Sequence, residues 1–165
     1  MINLDLNITE MDYNKALEIS NWNYEKQFSI YNMNGSEECI KELLNSNYFA
    51  VIDNKNNLIG YYGFGAAARV PLGEDLGLYN GNSITDIGLG LKPSLCGHGV
   101  GFDFFNCGLN FARSKLNAKN FRLTVTTFNK AAIKIYLKLG FKKVTSFPAM
   151  SSIGEIEFWI MTLVG

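Results

Sequence analysis

Apolar and polar positions along this chain change period several times, and each change marks an element. Alternation over Ile2–Asn7 predicts a first strand. Thr9 then stands where a helix N-cap is expected, with Met11, Ala16, Leu17 and Ile19 giving an approximate apolar face up to Trp22. Tyr24–Asn34 is aromatic and Asn-rich without a period, which predicts a loop or short helix. Ser36 followed by Cys39, Ile40, Leu43 and Leu44 predicts a second helix, because those apolar positions share a face. Strands are expected at Tyr48–Ile52 and Leu58–Phe64, joined through the turn residues Asp53-Asn54-Lys55-Asn56-Asn57.

Arg69–Asn82 carries four glycines or prolines and no period, which predicts a long loop of the kind that tends to be functional. The pattern then predicts a strand at Ser83–Leu91, a long helix at Val100–Leu116 and a strand at Phe121–Thr127. A helix at Asn129–Leu139 and strands at Val144–Phe147 and Ile156–Leu163 close the chain. With no internal repeat, low-complexity segment or linker, the simplest reading is one α/β domain (of the α+β type) over residues 1–165.

Fifteen basic residues balance fifteen acidic ones, so the whole chain has no net pull on a polyanion, and neither nucleic acid nor membrane is expected as a partner. Cys39, Cys96 and Cys107 suggest no disulfide framework, and a single histidine, His98, leaves no usual zinc constellation, so no metal is expected. The N-terminus lacks the basic start and apolar run of a signal peptide, and no apolar stretch reaches the ~18 residues of a membrane helix. A cytoplasmic location is therefore expected.

The most informative stretch is Asp86-Ile87-Gly88-Leu89-Gly90-Leu91-Lys92-Pro93-Ser94-Leu95-Cys96-Gly97-His98-Gly99-Val100-Gly101-Phe102. A strand ends near Pro93 and a long helix begins within the glycines Gly97, Gly99 and Gly101. Such a loop lets backbone N–H groups converge, and the helix N-terminus adds partial positive charge, so the pattern suits a phosphate. A Walker loop is excluded because Gly-Lys-Ser/Thr is absent, and a dinucleotide fingerprint fails because Phe102 occupies its third glycine position.

Leu91-x-Pro93 followed by Cys96-Gly97-x-Gly99-x-Gly101 resembles the acetyl-CoA motif of the GNAT superfamily, Arg/Gln-x-x-Gly-x-Gly/Ala, with Cys96 in the Arg/Gln position. Asn129-Lys130-Ala131-Ala132-Ile133-Lys134-Ile135-Tyr136-Leu137-Lys138-Leu139-Gly140-Phe141 is similar to the later motif of that family, Asn-x-x-Ala-x-x-x-Tyr-x-x-x-Gly-Phe, at every defining position. Within the family the C-terminal half resembles ribosomal-protein-alanine acetyltransferases. The resemblance implies a GNAT-like fold, a mixed and mostly antiparallel sheet of six or seven strands with about four helices. It also implies N-acetyl transfer from acetyl-CoA, the co-substrate, to a primary amine of a small molecule or protein N-terminus. A homodimer is left open.

By that resemblance the loop Gly97, His98, Gly99, Val100, Gly101 and Phe102, together with Asn129, would hold acetyl-CoA, and Cys96 would bind it less well than Arg or Gln. The main chain of Leu89 to Leu91 would pair with the pantetheine arm and present an N–H to the thioester oxygen. Gly88 and Gly90 clear one face of that strand for close approach of another chain or ligand. Tyr136 would protonate the leaving thiolate. A Glu that serves these relatives as base, five residues before the Asn, is here Thr124, so Asp86, on the strand face of Gly88 and Gly90, is expected to accept the proton. Glu74 and Asp75 come next. The missing base and Cys96 also admit an alternative, an acyl-CoA-binding sensor or pseudoenzyme on the same scaffold.

Overall fold

The structure, a computed structural model, describes residues 5–45 and 47–165. Seven strands follow one another in the order β1-β2-β3-β4-β5-β7-β6. They are β1 (Asn7–Glu10), β2 (Tyr48–Ile52), β3 (Leu58–Phe64), β4 (Ile84–Leu91), β5 (Asn120–Thr126), β6 (Lys142–Ser151) and β7 (Gly154–Leu163). The α-helices among the described residues are α1 (Tyr13–Ser20), α2 (Glu37–Leu43), α3 (Pro71–Asp75), α4 (Gly101–Lys115) and α5 (Lys130–Lys138). The parallel pair β4–β5 sits among antiparallel ones, which is the mixed, mostly antiparallel sheet that was expected. Two compact units make up the chain: residues up to Gly63 with Leu89–Cys107, and Phe64–Gly88 with Gly108–Gly165.

In the first unit β2 lies between β1 and β3. The β2–β3 turn forms because the Asp53 carboxylate accepts from the backbone N–H of Lys55 (2.8 Å) and of Asn57 (2.9 Å), while Asn56 takes a left-handed φ of 64°. Ala16 and Ile19 of α1, Ile40 and Leu43 of α2, and Ala50 and Leu58 of the sheet close one core with Trp22. Of the strand expected at Ile2–Asn7, residues 2–4 lie outside the described residues, and of the other three only Asn7 is in a strand, β1, which runs on to Glu10. Thr9 is not a helix cap: it is paired with Ala50 in β1, and the cap is Asp12, whose carboxylate accepts from Lys15 N at 2.9 Å. Ser36 caps α2 by accepting from Cys39 N. The aromatic segment after Trp22 contains a 3₁₀ turn at Lys26–Tyr31.

In the second unit β7 lies between β5 and β6, and β4 joins β5 in parallel from Ile84↔Asn120 to Asp86↔Arg122. Phe121, Leu123 and Val125 are buried on one face of β5, and Arg122 and Thr126 on the other. The strand alternates apolar and polar residues over Phe121–Thr126, yet its polar face is buried too, because Arg122 meets the Asp86 carboxylate inside the fold. The segment expected as a long loop is partly helical, because Pro71 opens α3, and Tyr79 beyond it packs on Phe147 and Ile160. β6 starts earlier and ends later than Val144–Phe147, with a register shift between Lys143 and Thr145 that leaves Val144 exposed. Gly140 ends α5 at φ 100°, the left-handed position its motif requires.

Candidate active site

In the first unit β4 runs into a 3₁₀ turn (Pro93–Leu95), the glycine loop and α4. Gly97 and Gly99 both have φ 78°, and a Cβ at either would meet nothing within 4 Å. Their glycine identity therefore answers to backbone conformation, and the space beside them is open. Phe104 N bonds to Val100 O at 3.0 Å, so α4 begins directly after the second of these glycines with its first turn of N–H groups at the loop. Gly97, His98 and Gly99 are exposed, Gly101 and Phe102 are half-buried, and Val100 is buried, anchoring the loop. These features fit a phosphate-bearing ligand. The Cys96 sulfur turns back toward the carbonyls of Lys92 (3.7 Å) and Leu91 (3.8 Å), and partial burial pushes its thiol pKa up.

The strand end beside the loop is already engaged. The Tyr24 hydroxyl donates to Leu91 O at 2.7 Å, and Lys92 N donates to Ile59 O at 2.9 Å. A Cβ on Gly90 would collide with the Tyr61 ring. The close approach that Gly90 permits is thus that of Tyr61 from β3, a neighbouring strand being one of the two occupants expected for that face. Burial pushes the Tyr61 phenol up to about 12, and the Tyr24 phenol is raised as well, chiefly by burial. Both stay neutral donors at physiological pH.

In the second unit Asn129 is the N-cap of α5, accepting from Ala132 N at 3.4 Å. Tyr136, two turns on, is 8% exposed and tilted against Phe141 at 6.0 Å. Asn129, Ala132 and Tyr136 share one face of the helix.

Asp86 is 2% exposed, and guanidiniums fill its carboxylate. Arg122 Nε donates to Oδ1 at 2.6 Å and Nη2 to Oδ2 at 2.8 Å, while Arg69 Nε donates to Oδ2 at 3.0 Å. Arg122 itself is 4% exposed and gives its remaining nitrogen to Asn80 O at 2.7 Å. Both guanidiniums lie over the Tyr79 ring, at 5.2 and 5.6 Å from its centroid. Tyr79 OH in turn shares a hydrogen bond of 2.7 Å with Thr124 Oγ1 and accepts from Val70 N at 3.1 Å. This geometry corrects Asp86 as the expected proton acceptor: a buried carboxylate bidentate to one arginine and bridged to another is a counter-ion. Glu74 is drawn in too, at 3.4 Å from Arg69. Burial works against the Arg69 charge, and its bonds to Asp86 and Glu74 outweigh this and raise its pKa. Asp75 is exposed.

In the sequence Arg122 stands at a polar position of the alternating strand Phe121–Thr126, which reads as a solvated face, so its only signal is that of a charge between apolar neighbours. Tyr24 and Tyr79 carried no such signal. Among the described residues no group of three or more His, Cys, Asp or Glu side chains could hold a metal ion, and no helix is long and apolar enough to cross a membrane.

The sequence matches the family profile of an acetyltransferase (GNAT) domain over residues 7–142, and the chain belongs to the GNAT acetyltransferases. Solved structures share its fold at low identity. An acetyltransferase of the GNAT family from Bacillus anthracis superposes with a TM-score of 0.73 at 14% identity, covering 99% of this chain and 97% of that one. A spermidine N-acetyltransferase chimera, SpeG from Vibrio cholerae with hSSAT, gives 0.72 at 19% identity, with 96% and 94% covered. A protein described as a candidate phosphinothricin N-acetyltransferase gives 0.69 at 16% identity, with 96% and 97% covered. No curated protein sequence matches significantly.

Proposed function

We propose that this acetyltransferase moves an acetyl group from acetyl-CoA to a primary amine of a small molecule or a protein N-terminus. The observation that carries the reading is the glycine loop, two left-handed glycines opening onto free space at the start of a 15-residue helix. Its backbone N–H groups and the helix dipole would bind the pyrophosphate, with Gly97 to Phe102 as the wrapping segment. Leu89 to Leu91 would align the pantetheine through main-chain groups, although Leu91 O already accepts from Tyr24.

In the reaction the amine nitrogen bonds to the thioester carbonyl carbon, the C–S bond breaks, the amine loses one proton and the thiolate gains one. The Tyr136 hydroxyl is the proposed donor to that thiolate. A phenol near pKa 10 is a weak acid toward a thiol near 8.5, so its benefit lies in position and desolvation. With Asp86 bound by arginines, water or an amine that arrives neutral is the proposed route for the proton. Asn129, as the cap of α5, fixes the start of the helix that carries Tyr136.

The alternative of an acyl-CoA-binding sensor draws on Cys96 in the Arg/Gln position and on the locked Asp86. Acetyl-CoA incubated with a library of amines, including polyamines, amino acids and peptide N-termini, separates the two through release of free thiol. Turnover with any amine supports the transferase. Tight acetyl-CoA binding with no thiol release from any of them favours the sensor.

A further inference from the structure

The charge of this chain, balanced as a whole, is separated along it. From Phe104 to Gly154 there are nine basic residues and no acidic one, whereas the first 53 residues hold nine acidic and three basic. Arg122 is consumed by Asp86, but Lys130, Lys134 and Lys138 recur at every fourth position and form an exposed ridge along α5. Like charges at that spacing repel and destabilise an isolated helix, so a mixed-sign solvated face does not account for the ridge. Beside it lies a groove of about 330 Å³ lined by Thr127, Lys130, Ile133, Lys134, Leu137 and Trp159. Leu137 is 54% exposed. Lys143 Nζ sits 4.7 Å over the Trp159 ring, adding a further positive charge and covering a face on which a base would stack.

A surface of the opposite character occurs on the first unit. Tyr13 and Leu17, one turn apart on α1, are 48% and 39% exposed. Glu10, Glu37 and Glu38 are exposed on the same unit, and the Tyr13 hydroxyl donates to Glu37 at 3.3 Å. Exposed apolar spots on a unit with exposed carboxylates, where Lys15 is paired with Asp12 and Lys41 is the one basic residue of α2, match in charge and in kind an apolar groove beside lysines.

We propose that a second copy of this chain docks its α1–α2 acidic face onto the α5 groove, with Tyr13 and Leu17 against Leu137 and Trp159. The two surfaces differ, so the contact is heterologous and builds either a closed ring or an open chain. It depends on exposed charge pairs, which salt screens.

Sedimentation velocity on the full chain without ligand, at about 20 mM and about 500 mM salt, tests this through the change in Debye length. The expected result is association at low salt that rises with protein concentration, and monomer at high salt. Lys130→Glu with Lys134→Glu, and separately Glu37→Lys with Glu38→Lys, should each give monomers. Mixed in equal amounts, the two should associate again, because each supplies the surface the other has lost. Cooperative thermal unfolding establishes that each variant is folded. Lys130→Gln with Lys134→Gln serves where the reversal does not fold, and should weaken association about tenfold. Monomer at low salt at every concentration overturns the proposal. So do association that survives high salt or either charge reversal, folded variants that fail to associate when mixed, and a low-salt monomer that retains a single-stranded oligonucleotide on the ridge.

Discussion

A guanidinium inside a strand has to find its counter-charge within the fold, and for Arg122 this is Asp86, its register partner across the parallel pair. Replacing Asp86 with Asn leaves that arginine buried without its compensating charge, and breaking a buried pair from one side typically costs about 3–5 kcal/mol. Asp86→Asn should therefore lower the denaturation midpoint strongly, as read by chemical denaturation. Wild-type stability together with a kcat/KM loss confined to low pH would reverse this and restore Asp86 as the proton acceptor. Tyr136→Phe removes one hydroxyl and almost no volume. Acetyl-CoA affinity by calorimetry should hold while turnover falls, within the roughly 10²–10⁴-fold range of general acid catalysis. Unchanged turnover across pH would leave Tyr136 a packing residue against Phe141. The type and spacing of Asn129, Tyr136 and Gly140 were legible in the sequence because a helical motif is local. The partner of Asp86 was not, since register across two strands 36 residues apart depends on the whole sheet.

Element boundaries show the same division between local and non-local causes. The helix at the second motif and the β2–β3 turn follow from adjacent residues, and both appear where they were expected. Thr9 misled because threonine is an accepted cap by type, although the aspartate three residues on is a stronger one. Pairing with Ala50 places Thr9 in β1 and passes the cap to Asp12. α3 was hidden by its glycine and proline content, although Pro71 is well suited to a first helical turn. Asp12 supports a stability prediction with a defined sign. Its side-chain bond with Lys15, then the bond from Lys15 N, hold its pKa below the usual 3.8. A carboxylate whose folded pKa is depressed contributes fully above its unfolded value and loses that contribution as pH falls through the folded value. Asp12→Ala should cost about 1 kcal/mol at neutral pH, the usual worth of a cap. The deficit relative to the parent should shrink as acid protonates the carboxylate. Urea denaturation of both proteins at stepped pH measures it, and a deficit constant into acid would assign the loss to something other than the charged cap.

Taken as a molecule, the chain is better described by its charge separation than by its net charge. The balance of fifteen against fifteen hid an acid-free stretch of nine basic residues. Acetyl-CoA, a polyanion, should be felt by the whole fold, because a ligand that binds only the native state stabilises it by mass action. At free ligand a hundred times Kd the gain is about 2.7 kcal/mol, which for a chain of this size moves the thermal midpoint by about 5–10 °C. Gly99→Val should erase that shift. Its φ of 78° disfavours a β-branched residue, and the added side chain enters the open space where phosphate would lie. Strain lowers the unliganded midpoint as well, so the readout is the shift on adding acetyl-CoA and not the absolute temperature. Cys96→Arg should act in the opposite sense. It introduces a guanidinium beside the loop in place of a thiol turned toward the Lys92 carbonyl, and a charge-assisted bond to phosphate should tighten acetyl-CoA about five- to tenfold. At subsaturating ligand this variant should show the larger shift, while NAD and ATP move neither protein. A midpoint raised by NAD or ATP and untouched by acetyl-CoA would mean that the loop before α4 serves a different nucleotide.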